Sequence, residues 1–167
     1  MDVAIIAGSP ATGKTTVANG IRERLQCAVI ELSTFRNMYL DRDWSRANPQ
    51  EAQMSFVLAC HTAREFVAHG IKPVLLLDLR PEHIGQLAEQ FAGVNYGIVT
   101  LFVSARQVLA ERMAAPTRDS GFRDLEQSWA WNVSETSRAL LPREVRLDTT
   151  GLTIDETVGR VLEIISG

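Results

Sequence analysis

The amino-acid sequence predicts an α/β fold built on a parallel sheet, and two observations carry this prediction. Short apolar runs alternate with longer amphipathic segments along the 167 residues, a pattern typical of βαβ units. The middle runs are continuously apolar, as expected for strands that helices cover on both faces. Five strands are predicted, at residues 3–7, 28–32, 73–79, 97–103 and 144–148.

Helices are predicted between these strands. In the segment 14–26, Val17, Ile21 and Leu25 recur at helical spacing and form one apolar stripe. Further helices are expected over 50–69 and 82–92, each directly after a proline.

Two more helices are expected to begin at sites with capping-box spacing. Ser104 is followed three residues later by Gln107, and Thr153 by Glu156. Internal repeats, low-complexity tracts and linkers rich in Pro, Gly or Ser are absent from the sequence, which predicts one domain over residues 1–167.

Composition narrows the class of protein. The chain is 46% hydrophobic and 22% charged, which is typical of a soluble globular domain. Its net charge of −3 does not favour nucleic-acid binding. No apolar run approaches the ~20 residues of a membrane span, and the first residues lack the basic region of a signal peptide. We therefore expect a cytoplasmic protein without a membrane partner.

The cysteines and histidines do not predict a metal centre. Cys27 and Cys60 are too few and too far apart for a zinc site or a disulfide framework. His61, His69 and His83 lack metal-binding spacing, and each is interpreted as a structural residue. His61 is an alternative candidate for a substrate contact.

The clearest motif follows the first predicted strand. Residues 8–16, GSPATGKTT, fit the pattern G-x-x-x-x-G-K-[ST], in which glycines let successive N–H groups converge on phosphate oxygens. Lys14, one of only two lysines among the 17 basic residues, is predicted to neutralise the β- and γ-phosphates. Thr15 is placed to bind Mg²⁺. The predicted ATP-binding residues of this loop are Gly8, Ser9, Pro10, Ala11, Thr12, Gly13, Lys14, Thr15 and Thr16.

With this motif in an α/β chain, the sequence resembles the small P-loop kinases. These are the shikimate and gluconate kinases, the nucleoside monophosphate kinases and the chloramphenicol phosphotransferase-like group. The resemblance covers essentially the whole chain and implies a three-layer P-loop NTPase fold, with a five-stranded parallel sheet in the order 2-3-1-4-5 and helices on both faces. The guanine-reading Asn-Lys-x-Asp run and the LSGGQ stretch of other P-loop classes are absent.

The segment VLLLDLRP, residues 74–81, is similar to the LDGxPR stretch of adenylate kinases, although the spacing differs by one residue. The resemblance implies that Asp78 holds the water shell of Mg²⁺ and that Arg80 faces the acceptor. A purely structural role for Asp78, as a helix N-cap before Pro81, is an alternative that does not exclude the first.

The segment ELSTFR, residues 31–36, lies where relatives begin the acceptor site, which is expected over about 31–64. Relatives carry an aspartate where this chain has Ser33 or Thr34, so Glu31 is the nearest carboxylate. Either Glu31 or a later acid (Asp41, Asp43) acts as the base, or positioning alone suffices for phosphoryl transfer. Ser33, Arg36 and Arg80 are the predicted acceptor-binding residues.

A lid is implied after the fourth strand, at about 114–128. Arg112 stands where relatives stack an arginine on adenine, and Arg118 or Arg123 is expected to contact the transferring phosphoryl group. Thr150 and Gly151 fall in the loop that borders adenine in relatives.

The predicted function is transfer of the ATP γ-phosphoryl group to a hydroxyl of a metabolite, nucleotide or antibiotic. Lys14, Arg118, Arg123, Glu31 and Asp78 are the catalytic candidates, and ATP and Mg²⁺ are required. We expect a monomer or homodimer with ATP and a small acceptor as its ligands. An ATP-binding protein that hydrolyses ATP slowly and signals through lid closure is the alternative, and the missing acceptor aspartate is its main support.

Overall fold

A computed structural model describes residues 1–39, 48–116 and 120–167. Its centre is a parallel sheet of five strands in the order β2-β3-β1-β4-β5, which confirms the predicted fold class. The strands are β1 (Val3–Ala7), β2 (Ala28–Glu31), β3 (Val74–Leu77), β4 (Tyr96–Phe102) and β5 (Glu144–Asp148). The helices are α1 (Lys14–Leu25), α2 (Leu32–Tyr39), α3 (Pro49–Ala68), α4 (Pro81–Ile84), α5 (Leu87–Gln90), α6 (Arg106–Ala114), α7 (Leu125–Ser137) and α8 (Ile154–Ser166).

Strand β1 lies at the middle of the sheet. Its Ile5 pairs with Leu76 on β3 and with Ile98 on β4, and all five residues of β1 are buried. A strand that is covered on both faces buries every side chain, which explains why the sequences of β1 and β3 are continuously apolar.

Helices cover the two faces of the sheet. On one face Ala4 and Ile6 pack in a core cluster with residues of α1 and α8, including Ile21 and Val161. On the other face Val3, Ile5 and Ala7 pack in a second cluster with residues of α3 and α5, which include Phe56 and Leu87. Alternate residues of one strand point to opposite faces, so the same short run supplies both cores.

Two local predictions differ from the structure. The helix expected over 82–92 is interrupted: α4 ends at Ile84, with Gly85 as its C-cap, and α5 begins at Leu87. The cap expected at Ser104 is wrong: Ala105 is the N-cap of α6, and the Ser104 hydroxyl lies 3.0 Å from Oγ1 of Thr150 instead.

The capping box at the start of α8 is confirmed. Thr153 Oγ1 accepts a hydrogen bond from the Glu156 amide at 3.2 Å, and Glu156 Oε2 accepts one from the Thr153 amide at 2.8 Å. None of the described helices is long and apolar enough to cross a membrane.

The strand order determines where a ligand site can form. Because the strands are parallel, Gly8, Leu32 and Asp78 follow β1, β2 and β3 at the same edge of the sheet. Ligands of open α/β sheets bind at this carboxyl edge.

Candidate active site

The loop between β1 and α1 has the backbone of an anion-binding nest. Gly8, Ala11 and Gly13 have left-handed φ values of 133°, 67° and 100°, and such turns aim consecutive N–H groups at one point. A Cβ on Gly8 would lie 2.2 Å from the carbonyl oxygen of Leu101 on β4, so only glycine fits there. The conformation therefore accounts for the glycine at the start of the motif.

Lys14 is the first residue of α1, and its side chain reaches back across the loop. Its Nζ donates to the carbonyl oxygens of Gly8, at 2.9 Å, and Ser9, at 3.1 Å. Thr15 and Thr16 follow in the first helical turn with exposed side chains, and this turn contains no acidic residue. The helix N-terminus, the loop amides and the ammonium group thus form one region that favours an anion.

Helix α7 holds this loop in place, a contact that the sequence reasoning missed. Ser128 Oγ donates to the carbonyl oxygen of Pro10 at 2.7 Å. One turn later, the Asn132 amide group donates to Val103 O at 2.8 Å and accepts from Val103 N at 3.1 Å. The signal in the sequence was a pair of polar residues four apart on one helix face, and both are buried.

Two carboxylates end neighbouring strands beside the loop. Glu31 is the last residue of β2, and Asp78 follows β3 with a left-handed φ of 65°. Burial, and then the charge of Asp78, raise the pKa of Glu31, while Ser33 and Lys14 act in the opposite direction. Ser33 Oγ donates to Glu31 Oε2 at 3.4 Å. Asp78 therefore lies close enough to Glu31 for its charge to disfavour the ionisation of Glu31.

A small cavity adjoins these carboxylates and gathers the predicted acceptor residues. Ser33, Arg36, Asp78 and Arg80 all line it, although they come from two segments more than 40 residues apart. Arg36 is only 4% exposed. Arg80 lies 3.7 Å from Glu82 through Nη1 and Oε1, with about a third of its side chain exposed. The other lining residues are Leu32, Ala52, Ser55 and His83.

Ser55 and His83 were not singled out by the sequence as site residues. His83 was interpreted as structural, and it is indeed buried and stacked on Phe56. It lines the cavity as well. The alternative bases Asp41 and Asp43 lie outside the described residues.

At the opposite side of the loop, Arg112 joins α6 to the segment after β5. Its two terminal nitrogens donate to Thr149, Nη1 to Oγ1 at 2.8 Å and Nη2 to the carbonyl oxygen at 2.6 Å. Thr150 accepts from the Ser104 amide at 2.7 Å, and Gly151 is exposed. The structure thus joins Arg112 to the loop containing Thr150 and Gly151, which the resemblance assigned to the adenine.

The lid arginines are the least defined of the predicted residues. Arg118 lies outside the described residues. Arg123 is exposed, and its Nη1 donates to the carbonyl oxygens of Ser120 and Phe122 in its own loop. Their role toward a phosphoryl group stays a prediction.

The oxygen donors near the loop suit a magnesium ion. Within the described ranges, no group of three or more His, Cys, Asp or Glu residues could hold a metal ion by itself. Mg²⁺ commonly takes one or two protein oxygens, with phosphates and water completing its shell. The Thr15 hydroxyl and the Asp78 carboxylate offer hard oxygen donors of this kind, so the donor set would fit Mg²⁺.

By sequence, the chain matches no protein-family model and no curated protein. By structure, it has the fold of small P-loop kinases. It is similar to a sugar kinase from a Janibacter species, at 18% identity and a TM-score of 0.72, over 99% of this chain and 95% of that one. It is also similar to a gluconokinase from Sinorhizobium meliloti, at 20% identity and a TM-score of 0.70, over 98% and 91%.

A third solved structure of the same fold is the Mycobacterium tuberculosis APS kinase. It is 15% identical over 99% of this chain and 98% of that one, with a TM-score of 0.64. The resemblance to small P-loop kinases inferred from the motifs is therefore confirmed in the fold.

Proposed function

We propose that this protein is an ATP-dependent phosphotransferase that moves the γ-phosphoryl group of ATP to a hydroxyl of a small molecule. The observation that carries the proposal is the juxtaposition of two sites at one sheet edge. The anion-binding loop with Lys14 follows β1, and the cavity lined by Arg36 and Arg80 lies beside the ends of β2 and β3. The APS kinase of the same fold was solved with AMPPNP and APS, a nucleotide together with a second ligand.

On the ATP side, the loop amides and Lys14 neutralise the phosphates. Lys14 already points at the loop carbonyls, so a phosphate would replace those carbonyls as its partner without a new side-chain position. Ser9 Oγ is buried and has no hydrogen-bond partner within the described parts of the chain, and a phosphate oxygen would satisfy it. Arg112, held by Thr149, offers a planar guanidinium for stacking on adenine.

Thr15 and Asp78 would hold Mg²⁺, with phosphate oxygens and water completing its shell. Mg²⁺, when bound, neutralises charge on the phosphates. The negative charge of Asp78 would suit this ion, because its position after β3 puts it at the same edge as the loop.

On the acceptor side, Arg36 and Arg80 favour an anionic group, since a planar guanidinium can donate two parallel hydrogen bonds to a carboxylate or a phosphate. Glu31 is the base that we favour. Burial and the nearby Asp78 raise its pKa, which makes the carboxylate a better proton acceptor. Ser33, which donates to Glu31, positions this carboxylate.

Arg118 and Arg123 in the lid would then contact the transferring phosphoryl group, where positive charge stabilises the transition state.

The decisive experiment compares the two lysines of the chain. Lys14→Ala is expected to abolish ATP-dependent phosphoryl transfer, with turnover measured against sugars, sugar acids, nucleoside monophosphates and aminoglycoside or phenicol antibiotics. Lys72→Ala is the matched control, because Lys72 is half-exposed and its ion pair with Asp2, at 3.1 Å, lies at the surface. Equal turnover in both variants, with both folded by circular dichroism, would refute the proposal.

The same assay addresses the second candidate function, a slow ATPase that acts as a switch. Ser33 at the position of the expected aspartate favours it. ATP consumption that depends on Lys14 but is unchanged by every acceptor would support the switch and contradict the kinase.

A further inference from the structure

Two buried polar side chains in the cavity have unused hydrogen-bonding atoms. Ser55 on α3 is 3% exposed and His83 on α4 is 2% exposed, and both line the cavity with Arg36 and Arg80. Among the residues that the structure describes, neither Ser55 Oγ nor His83 Nδ1 has a hydrogen-bond partner. Leaving such atoms unsatisfied is unfavourable, and folded proteins rarely do so without a ligand or water at the site.

Packing holds both side chains in position. The His83 ring stacks on Phe56, the residue after Ser55, with the ring centroids 4.5 Å apart and the planes within 5°. Gln53 and Gln86 exchange two side-chain hydrogen bonds, of 2.7 and 3.2 Å, and so join α3 to the turn between α4 and α5. Two preorganised hydrogen-bonding atoms at fixed positions are what a selective binding site requires.

The chemistry of the cavity favours an uncharged group at these two atoms. Its volume of about 30 Å³ holds a group the size of one or two water molecules. Burial lowers the pKa of His83, with a smaller opposing effect of Glu82, so the ring is neutral near pH 7. A hydroxyl both donates and accepts, and it can therefore satisfy a serine and either tautomer of a neutral histidine.

Resting on the phosphotransferase function above, we propose that Ser55 and His83 form a subsite for a hydroxyl group of the acceptor. The anionic group of the same molecule binds beside this cavity at Arg80, about a third of whose side chain is exposed, and the buried Arg36 adds positive charge. The acceptor is thus a small polyhydroxylated anion, and a sugar acid fits this description better than a nucleotide with a planar base.

The test uses D-gluconate, D-glucose and thymidine monophosphate as probes of the intact protein. In wild type, we expect D-gluconate to raise Tm and to be the preferred acceptor. Ser55→Ala and His83→Phe should each raise the KM for D-gluconate about 10-fold, which is the effect of losing one hydrogen bond. Phenylalanine at position 83 keeps a ring against Phe56. The KM for ATP should stay unchanged.

Stability without ligand separates a binding role from a structural one. Removing a buried atom that has no partner should leave the Tm of the free protein unchanged or higher, whereas loss of a structural contact would lower it. Thr62→Ala on α3 is the matched control. Thr62 Oγ1 donates to Leu58 O within the helix, so this change should not alter the KM for D-gluconate.

Three outcomes would overturn the subsite. They are a wild-type Tm that D-gluconate does not raise, a preference for thymidine monophosphate, and an unchanged KM in both subsite variants. Each leaves the phosphotransferase function standing if Lys14-dependent transfer to another acceptor is observed, so the two proposals fail separately.

Discussion

At the scale of single residues, backbone conformation explains the most informative positions. Gly8 must be glycine because the Leu101 carbonyl occupies the space of its Cβ, and Gly13 has a φ of 100° just before α1. Asp78 also has a left-handed φ, a conformation that costs a non-glycine residue on the order of 1 kcal/mol and is common at functional sites. Gly8, Gly13 and Asp78 thus combine a left-handed backbone with a position at the candidate ATP and metal sites, whereas Gln26 and Arg143 have a left-handed φ away from them.

A pair of glycine variants tests whether the backbone conformation of the loop determines ATP binding. Gly8→Ala should weaken ATP binding at least 10-fold in titration calorimetry, because the added Cβ pushes the loop away from β4. Gly85→Ala is the control: its φ is −62°, and its Cβ would meet nothing within 4 Å. Unchanged ATP affinity in Gly8→Ala would show that the loop conformation does not determine binding.

At the scale of elements, similar sequence signals led to different structures at α6 and α8. Both helices were expected to begin with a capping box, but only Thr153 caps its helix. Ser104 follows the buried Val103 just after the end of β4, and its amide and hydroxyl are hydrogen-bonded to Thr150. A tertiary contact therefore displaced the local cap.

The two helix starts give a matched stability experiment. Thr153→Ala should lower the free energy of unfolding by about 1 kcal/mol, because it leaves a helix N-terminal amide without its partner. Ser104→Ala should lower the free energy of unfolding of the protein much less, because Ser104 does not cap α6. Chemical denaturation measures both, and an equal loss in the two variants would contradict this assignment of the caps.

At the scale of the whole molecule, a network of ion pairs and hydrogen bonds joins the edge strand β5 to β4 and to the segment after α7. Glu144 accepts from Arg138 Nη1 at 2.7 Å, from the Leu141 amide at 2.8 Å and from Thr100 on β4 at 2.5 Å. Burial acts to raise the pKa of Glu144, but these hydrogen bonds outweigh it and lower the pKa to about 2. The network therefore depends on an ionised carboxylate.

This network predicts how stability changes in acid. Glu144 titrates at 4.5 in an unfolded chain, above its folded value of about 2, so the unfolded state binds the proton first as the pH falls. Its contribution, about 3 kcal/mol, is complete above pH 4.5 and is lost as the pH falls toward 2.

Urea unfolding at a series of pH values measures this effect. Glu144→Gln should be less stable at pH 7, since Arg138 loses its charged partner, and its stability should vary less between pH 4.5 and 2. The same pH dependence in wild type and variant would assign the acid sensitivity to other groups.

The parts of the fold that sequence predicted are those with local causes. Strands β1 and β3 are unbroken apolar runs because both faces are buried, and the glycine spacing of residues 8–15 reflects the turns of one short loop. The helix over 82–92 was predicted as continuous, since periodicity does not reveal the break between Ile84 and Leu87. Ser33, Arg36, Asp78 and Arg80 were named from motif resemblance, and the structure brings them to one cavity.

By itself, the sequence determined the α/β class and the glycine-rich loop after β1, because backbone conformation and burial leave regular patterns in neighbouring residues. Only the tertiary structure decided that Ser128 holds Pro10 across 118 residues of chain, and that Ser55 and His83 share a cavity with Arg36. Such contacts depend on how α3, α4 and α7 pack around the sheet. A serine or histidine on a helix has the same local pattern whether or not packing turns it toward a ligand site.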